Sequence, residues 1–355
     1  MKKTGILFTF LCLFIFASCS NSNTEEEAEG ANSDEQNVIE VEIEDASYIL
    51  SGQDDGEAAE DGGLLYIDLQ VENISDNSIQ ISPEQDIQLY DGDNQIDPSN
   101  DAYPALGLEV DTNSSIGTGK QKTVNVMFDV DEDKEYDLSV SSMSSDYEIQ
   151  TADATVSLDT SEYNDSLESL QDPKKALEAY VETIYFDKDN SDYKKLVSAD
   201  KKELQDKALK AFGDMLEETL SNDADISESD MKKYYDSFKD RLADKGEVEA
   251  TVIANVNDKA IVEMEYSGLD SMDLSDKIRD YKEEYRDKQD SFTEAKEEDD
   301  YALSKFDKIV DELEAKKADR DMEFLMKKED GNWVIDNSEM SKERNIRSSF
   351  AEGIF

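Results

Sequence analysis

The chain is 355 residues long, more than one hydrophobic core usually serves, so two domains of ordinary size are expected. It carries 89 aspartates and glutamates against 36 lysines and arginines, a formal charge of −53, and no histidine. So acidic a surface cannot supply the basic face that phosphate contacts need, which excludes a nucleic-acid partner, and without histidine no Ser-His-Asp, Cys-His or ordinary zinc site can be assembled.

The first residues have the three parts of an export signal: Lys2 and Lys3, an apolar run from Ile6 to Phe16, and Ala17-Ser18 ahead of Cys19. An apolar run of eleven residues is too short to span a bilayer, which takes about 20, so residues 1–18 read as a cleaved signal peptide. Phe16-Ala17-Ser18-Cys19 resembles a lipobox, the motif at which bacterial lipoprotein precursors are diacylated on cysteine and cut just before it. Phe16 stands where Leu, Val or Ile is usual. The resemblance implies lipidation of Cys19 and a place on the extracytoplasmic face of the cell membrane. Cys12 would leave with the signal, so the mature chain could form no internal disulfide. Two acyl chains are what durable attachment requires, each buried methylene contributing about 0.8 kcal/mol. Residues 19–37, with Glu25-Glu26-Glu27, Glu29, Asp34 and Glu35 among small polar residues, read as a disordered acidic tether.

From 38 to 160 apolar residues alternate with polar ones. Ile39, Val41 and Ile43, then Leu65, Ile67, Leu69 and Val71, then Val124, Val126, Phe128 and Val130 mark half-buried strands, with weaker ones near 79–81, 87–89, 136–140 and 147–158. Turn-rich stretches at 51–63 and 91–103 separate them. Such a pattern predicts an all-β antiparallel sandwich. Val71-Glu72-Asn73 with Ser75 and Asn77, Leu89-Tyr90-Asp91-Gly92, and Gly119-Lys120 before Val126–Val130 resemble the immunoglobulin-like extracellular modules of Gram-positive lipoproteins, the type known from a mycobacterial immunoprotective antigen. The resemblance implies a fold and no activity.

Charge density drops near residue 160, from −33 over 19–160 to −22 over 161–355, and marks a boundary. Beyond it the period becomes helical. Asp172 is the expected N-cap with Pro173 at the first helical position, followed by Leu177, Tyr180, Val181 and Ile184 on one face. Leu204, Ala208, Phe212 and Met215 carry a second helix; Met231, Tyr234, Tyr235, Phe238 and Leu242 carry a third, stopped at Gly246. Alternation returns in Val248, Ala250, Val252, Ala254 and Val256, turns at Asn257-Asp258, and leaves through Ala260, Val262, Met264 and Tyr266. A charged helical insertion at about 273–320 follows, its middle near 294–300 too polar to be buried. Met322, Phe324 and Met326 then resume a strand before Gly331-Asn332-Trp333-Val334-Ile335-Asp336. Helices first, then a curled sheet ending in that hairpin, is similar to the cystatin-like or nuclear-transport-factor-2-like cone. The resemblance implies an α+β cystatin-like domain over 161–355.

No glycine-rich phosphate loop is present, and no cofactor is expected. Asp129, Asp131 and Asp133 place hard oxygen ligands at alternate positions and are candidates for a weak divalent-cation site; a solvated acidic strand end is the plainer reading, since the run lacks an EF-hand's glycine and terminal glutamate. Tyr180, Tyr234 and Trp333 are candidates for the mouth of a pocket, against the plainer reading that they are core. The acid surplus suits a salt-rich or alkaline exterior, a halophilic adaptation that a Tm rising with NaCl would register. The expected role is non-catalytic: binding a protein, peptide or cell-wall component, or maintaining the envelope, from a lipid anchor in the membrane. A carboxylate-dependent hydrolase is the alternative.

Overall fold

The computed structural model describes residues 38–51, 62–100, 106–108, 111–144, 152–221, 224–290, 292–336 and 340–354; the leader, Cys19 and the tether lie outside them. The alternating segments form strands β1 (Ile39–Ile49), β2 (Gly62–Asn73) and β3 (Ile79–Ile81), a one-turn helix α1 (Pro83–Asp86), then β4 (Ile87–Asp91), β5 (Asn94–Ile96), β6 (Ser114–Ile116), β7 (Gln121–Asp131), β8 (Glu135–Ser144) and β9 (Ala152–Asp159). They make two antiparallel sheets, one ordered β1-β2-β7 and one ordered β5-β4-β8-β3-β6 with β9 beside β8. Leu65, Ile67, Leu69 and Val71 of β2 are fully buried between the sheets, opposite Phe128, Val126, Val124 and Lys122 of β7. A one-residue slip would turn all four outward, so burial fixes the register. The stretch 91–103, expected as turns, contains the short strand β5.

In β1 the alternation of Ile39, Val41 and Ile43 does not continue. A bulge between Ile43 and Asp45 switches parity, so Ala46, Tyr48 and Leu50 join the same core as Ile39. Ile49 is thereby sent to the opposite face of the sheet.

The second part begins with α2 (Asn164–Glu168), α3 (Asp172–Ile184), α4 (Tyr193–Leu196), α5 (Lys201–Thr219) and α6 (Glu228–Lys245). Asp172 is not the N-cap of α3. It lies inside the helix, after a Gln171 cap position whose side chain does not bond the first turn, and pairs instead with Lys175 at 2.9 Å. Gly246 does end α6, but at φ −75° and so without the left-handed turn usual for such a glycine. A Cβ there would meet Leu242 O at 2.7 Å and Leu242 Cδ1 at 2.9 Å, so the requirement is for space.

A five-stranded antiparallel sheet follows, ordered β10-β11-β13-β14 with β12 on β11, from β10 (Glu247–Val256), β11 (Lys259–Leu269), β12 (Ala315–Lys317), β13 (Met322–Glu329) and β14 (Asn332–Ile335). Asn257, at φ 54°, turns β10 into β11; Asp330 and Gly331, at φ 51° and 87°, make the mirror-image turn that joins β13 to β14. The five apolar residues read as one face of β10 are divided between two. A bulge at Ile253 leaves Val248 and Ala250 packed on the helices and sends Ala254 and Val256 to the other side.

Between β11 and β12 run α7 (Ser271–Asp287), α8 (Ala295–Leu303) and α9 (Phe306–Asp311). Residues 294–300 are mostly exposed, as their polarity suggests, with one exception: Asp299 is completely buried. Its Oδ2 accepts from the Ser221 backbone N–H at 3.0 Å and from the Ser221 hydroxyl, and Oδ1 forms an ion pair with Lys282. The chain ends in α10 (Met340–Arg347) and a wide π-turn over Ser348–Glu352, which the sequence did not announce. Phe350 there is fully buried against Tyr185, Phe186 and Tyr266. Gly353, at φ 94°, lets Ile354 run beside the end of β11, where a Cβ would approach Leu269 O to 2.7 Å.

Asp270 caps α7, accepting from the N–H groups of Met272 at 2.7 Å and Asp273 at 3.2 Å, and pairs with Lys316. Burial alone would raise its carboxyl, but Lys316 and the two N–H groups hold it below the usual aspartate range. Such a group stabilises fully above the unfolded value of about 3.9 and loses its contribution as pH falls through the lower folded value. Asp270→Ala is therefore expected to cost about 1–2 kcal/mol at neutral pH. The gap between variant and wild-type urea midpoints should close as the solution is acidified below roughly pH 4.

Three cores follow from this order. One lies between the first two sheets, one between the five-stranded sheet and its helices, and a smaller one joins the outer face of β1-β2-β7, through Ile49, Tyr66 and Met127, to Ala254, Ile261 and Leu325. Backbone bonds between Leu50 and Asn255, 2.9 and 3.0 Å, and one from Asn255 Nδ2 to Leu170 O at 2.9 Å reinforce the junction. Asn37–Phe355 form one compact unit.

Candidate functional site

A cleft of about 230 Å³ opens where α3, the start of α5, the β13–β14 hairpin and α10 converge. Its position follows from one unusual pairing. Val197, after α4, forms a parallel bridge with Trp333 of β14, and Ser198 N donates to Trp333 O at 3.3 Å, so residues 197–199 extend the sheet edge and bring α5 to its border. The Tyr193 hydroxyl, donating to Ala199 O at 3.0 Å, holds the same segment from behind.

The floor is apolar: Leu177 and Tyr180 from α3, Leu204 from α5, Met326 from β13, Trp333 and Ile335 from β14. The rim is acidic. Asp200, Glu203, Glu329 and Glu343 stand around it with a single cation, Lys207, which is 2.7 Å from Glu203. Asp200 is oriented by its second task as N-cap of α5, accepting from Glu203 N at 3.0 Å. Tyr180 is raised far above its ordinary value by burial, with the Glu343 carboxylate adding to the effect, so its phenol stays neutral. Trp333 is 2% exposed, and its indole N–H has no acceptor among the described residues. The Lys328 ammonium lies 5.7 Å from its ring centroid.

Of the residues singled out in the sequence, Tyr180 and Trp333 therefore meet in this cleft. Tyr234 does not: it faces away on α6, 4.7 Å from the Phe306 ring. Asp129 and Asp131 are exposed on β7, where Lys134 bonds Asp131 at 2.9 Å and Asp91 at 2.8 Å. Asp133 adopts a left-handed turn conformation, φ 53°, and accepts from Asn164 Nδ2 at 2.7 Å. Among the described residues no group of three or more acidic or cysteine side chains is arranged to hold a metal ion. Cys19 lies outside the described residues.

Two other concavities open among the described residues. The larger, about 830 Å³, runs between α5 and α7 and is walled chiefly by charged and hydroxyl side chains; Lys210 and Asp214 on one wall pair with each other at 2.6 Å. The other, about 320 Å³, lies beside the junction of the sheets and holds Asp45, Asp68 and Asp258. There burial and the neighbouring Asp68 push the Tyr66 phenol up to about 12. The rim acids of the chosen cleft had no signal in the sequence, because four carboxylates among 89 carry no local mark.

A family model described as a domain of unknown function, DUF4352, matches residues 31–149. The uncharacterized lipoprotein YcdA of Bacillus subtilis (strain 168) is 28% identical over 310 residues, covering 84% of this chain and 84% of that protein. The crystal structure of YcdA from Bacillus subtilis subsp. subtilis str. 168, at 26% identity, aligns with a TM-score of 0.65 over 87% of this chain and 96% of that one, so the path of strands and helices described above is shared with a crystallographic fold. A second model, described as the domain of unknown function DUF5105, matches residues 163–351, more than half of the sequence and all the walls of the cleft, and the chain belongs to that family.

Proposed function

We propose that this is a lipid-anchored protein of the extracytoplasmic membrane face with a non-catalytic binding role, displayed by an acidic tether over residues 19–37. In this reading residues 38–160 are an immunoglobulin-like sandwich and residues 161–355 a cystatin-like domain with a helical insertion near 273–320. The observation that carries the binding role is the apolar floor of the cleft beside its ring of carboxylates. Binding sites are concave and combine apolar surface with placed polar groups, and this cleft joins the two in about equal measure. The lipoprotein relative and the lipobox-like Phe16-Ala17-Ser18-Cys19 support the anchor. Among the described residues no helix is long and apolar enough to cross a membrane.

The anchor is tested by detergent phase partitioning of the natural product. The wild-type chain should enter the detergent phase and carry the mass of a diacylglyceryl group on Cys19, and Cys19→Ser should move to the aqueous phase. A wild-type chain that stays aqueous with an unmodified thiol would overturn the assignment.

A further inference from the structure

The cleft's shape and charge bear on what it binds, and the following deepens the binding role proposed above and rests on it. We infer that the cleft takes an alkylammonium group: an apolar body laid on Leu204, Met326 and Trp333, with a positive head among Asp200, Glu203 and Glu343.

Size, burial and charge each limit the occupant. At about 230 Å³ the space is smaller than the roughly 300–1,000 Å³ of pockets that enclose a drug-sized molecule, so the occupant has the dimensions of one side chain or a small amine. The floor carries aliphatic, thioether and aromatic surface, which favours a hydrocarbon segment over a bare ion. Among the described lining residues four carboxylates stand against one ammonium already engaged by Glu203, and with Lys328 counted beside the Trp333 ring the balance is still negative, so an anion entering would be repelled and a cation attracted. The whole chain is acidic, and cations gather over all of it. In the cleft apolar surface lies within reach of the carboxylates, and a ligand with both characters gains from both. The same chemistry is offered by a lysine side chain of a peptide and by a free organic amine.

Trp333 is the chain's only tryptophan and lines both this cleft and the concavity at the sheet junction, so its emission reports occupancy and the rim variant below assigns it to the cleft. The test uses the mature chain from residue 19 carrying Cys19→Ser, which retains the whole compact unit and needs no detergent. It is titrated at fixed ionic strength with hexylammonium, methylammonium, hexanol and hexanoate, and with the peptides acetyl-Leu-Lys-amide and acetyl-Leu-Glu-amide. Hexylammonium, the lysine peptide or both should shift the emission saturably, with the others weak or silent. The double variant Glu203→Gln/Glu343→Gln should weaken that binding roughly three- to tenfold, the range for two partly exposed charges. Saturation by the peptide alone assigns a peptide source, and by hexylammonium alone a free amine; both outcomes support the inference. Equal responses to methylammonium and hexylammonium would reduce the effect to the general field of the protein and overturn it. Silence from both hexylammonium and the lysine peptide would do the same. A match between hexanol and hexylammonium would overturn the cationic class while leaving a binding cleft in place, and none of these outcomes touches the anchor, which partitioning tests separately.

Discussion

Replacing Lys282 with Met is expected to destabilise the protein by about 3–5 kcal/mol, seen as a large fall in the urea midpoint with little change in slope. The variant would leave the Asp299 carboxylate buried, with only Ser221 to satisfy it. A buried charge without its counter-ion is among the costliest defects a fold can carry, whereas removing both charges is often close to neutral. Lys282→Met combined with Asp299→Leu should therefore recover most of the loss. That recovery separates a charge effect from a packing effect, because the double variant shares the altered methylene surface of the single one. A single-variant loss below about 1 kcal/mol would mean that the carboxylate is hydrated, as an exposed pair would be.

Phe350→Ala is expected to cost about 3–5 kcal/mol. Its ring lies 5.7 Å from that of Tyr185, 5.4 Å from Phe186 and 5.4 Å from Tyr266, so deletion would open a cavity bounded by three large aromatic side chains. Thermal denaturation should register the change as a drop of several degrees in Tm. A loss of a few tenths of a kcal/mol would show that the neighbouring rings collapse into the space or that the terminal turn contributes little to the core.

Elements with a clean period were legible in the sequence, and those that break period were not. Leu65 to Val71 and Val124 to Val130 alternate without interruption, and the structure pairs them as central strands. The bulges after Ile43 and at Ile253 reverse parity without any glycine or proline to mark them, so the alternation of β1 gives no face beyond Ile43 and that of β10 assigns Ala254 and Val256 to the wrong one. Asp299 was hidden by the Glu297–Asp300 run around it. A helical count does find it: Asp299, Ala302, Leu303 and Phe306 fall at i, i+3, i+4 and i+7, and the carboxylate lies on the stripe that packs inward. The cleft was half legible. Tyr180 and Trp333 stood out as large aromatics in an acidic chain, whereas the rim is gathered from α5, the β13–β14 turn and α10 by tertiary folding alone.

The strip of apolar contacts from Ile49 and Met127 across to Ile261 and Leu325 has a bearing on how such a chain can be inherited. Two family models divide the sequence between residues 149 and 163, yet severing it there would bare greasy strand faces on both fragments. Each piece would become sticky on its own, so recombination that shuffled one without the other would be penalised by aggregation. The two parts thus depend on each other for their solubility.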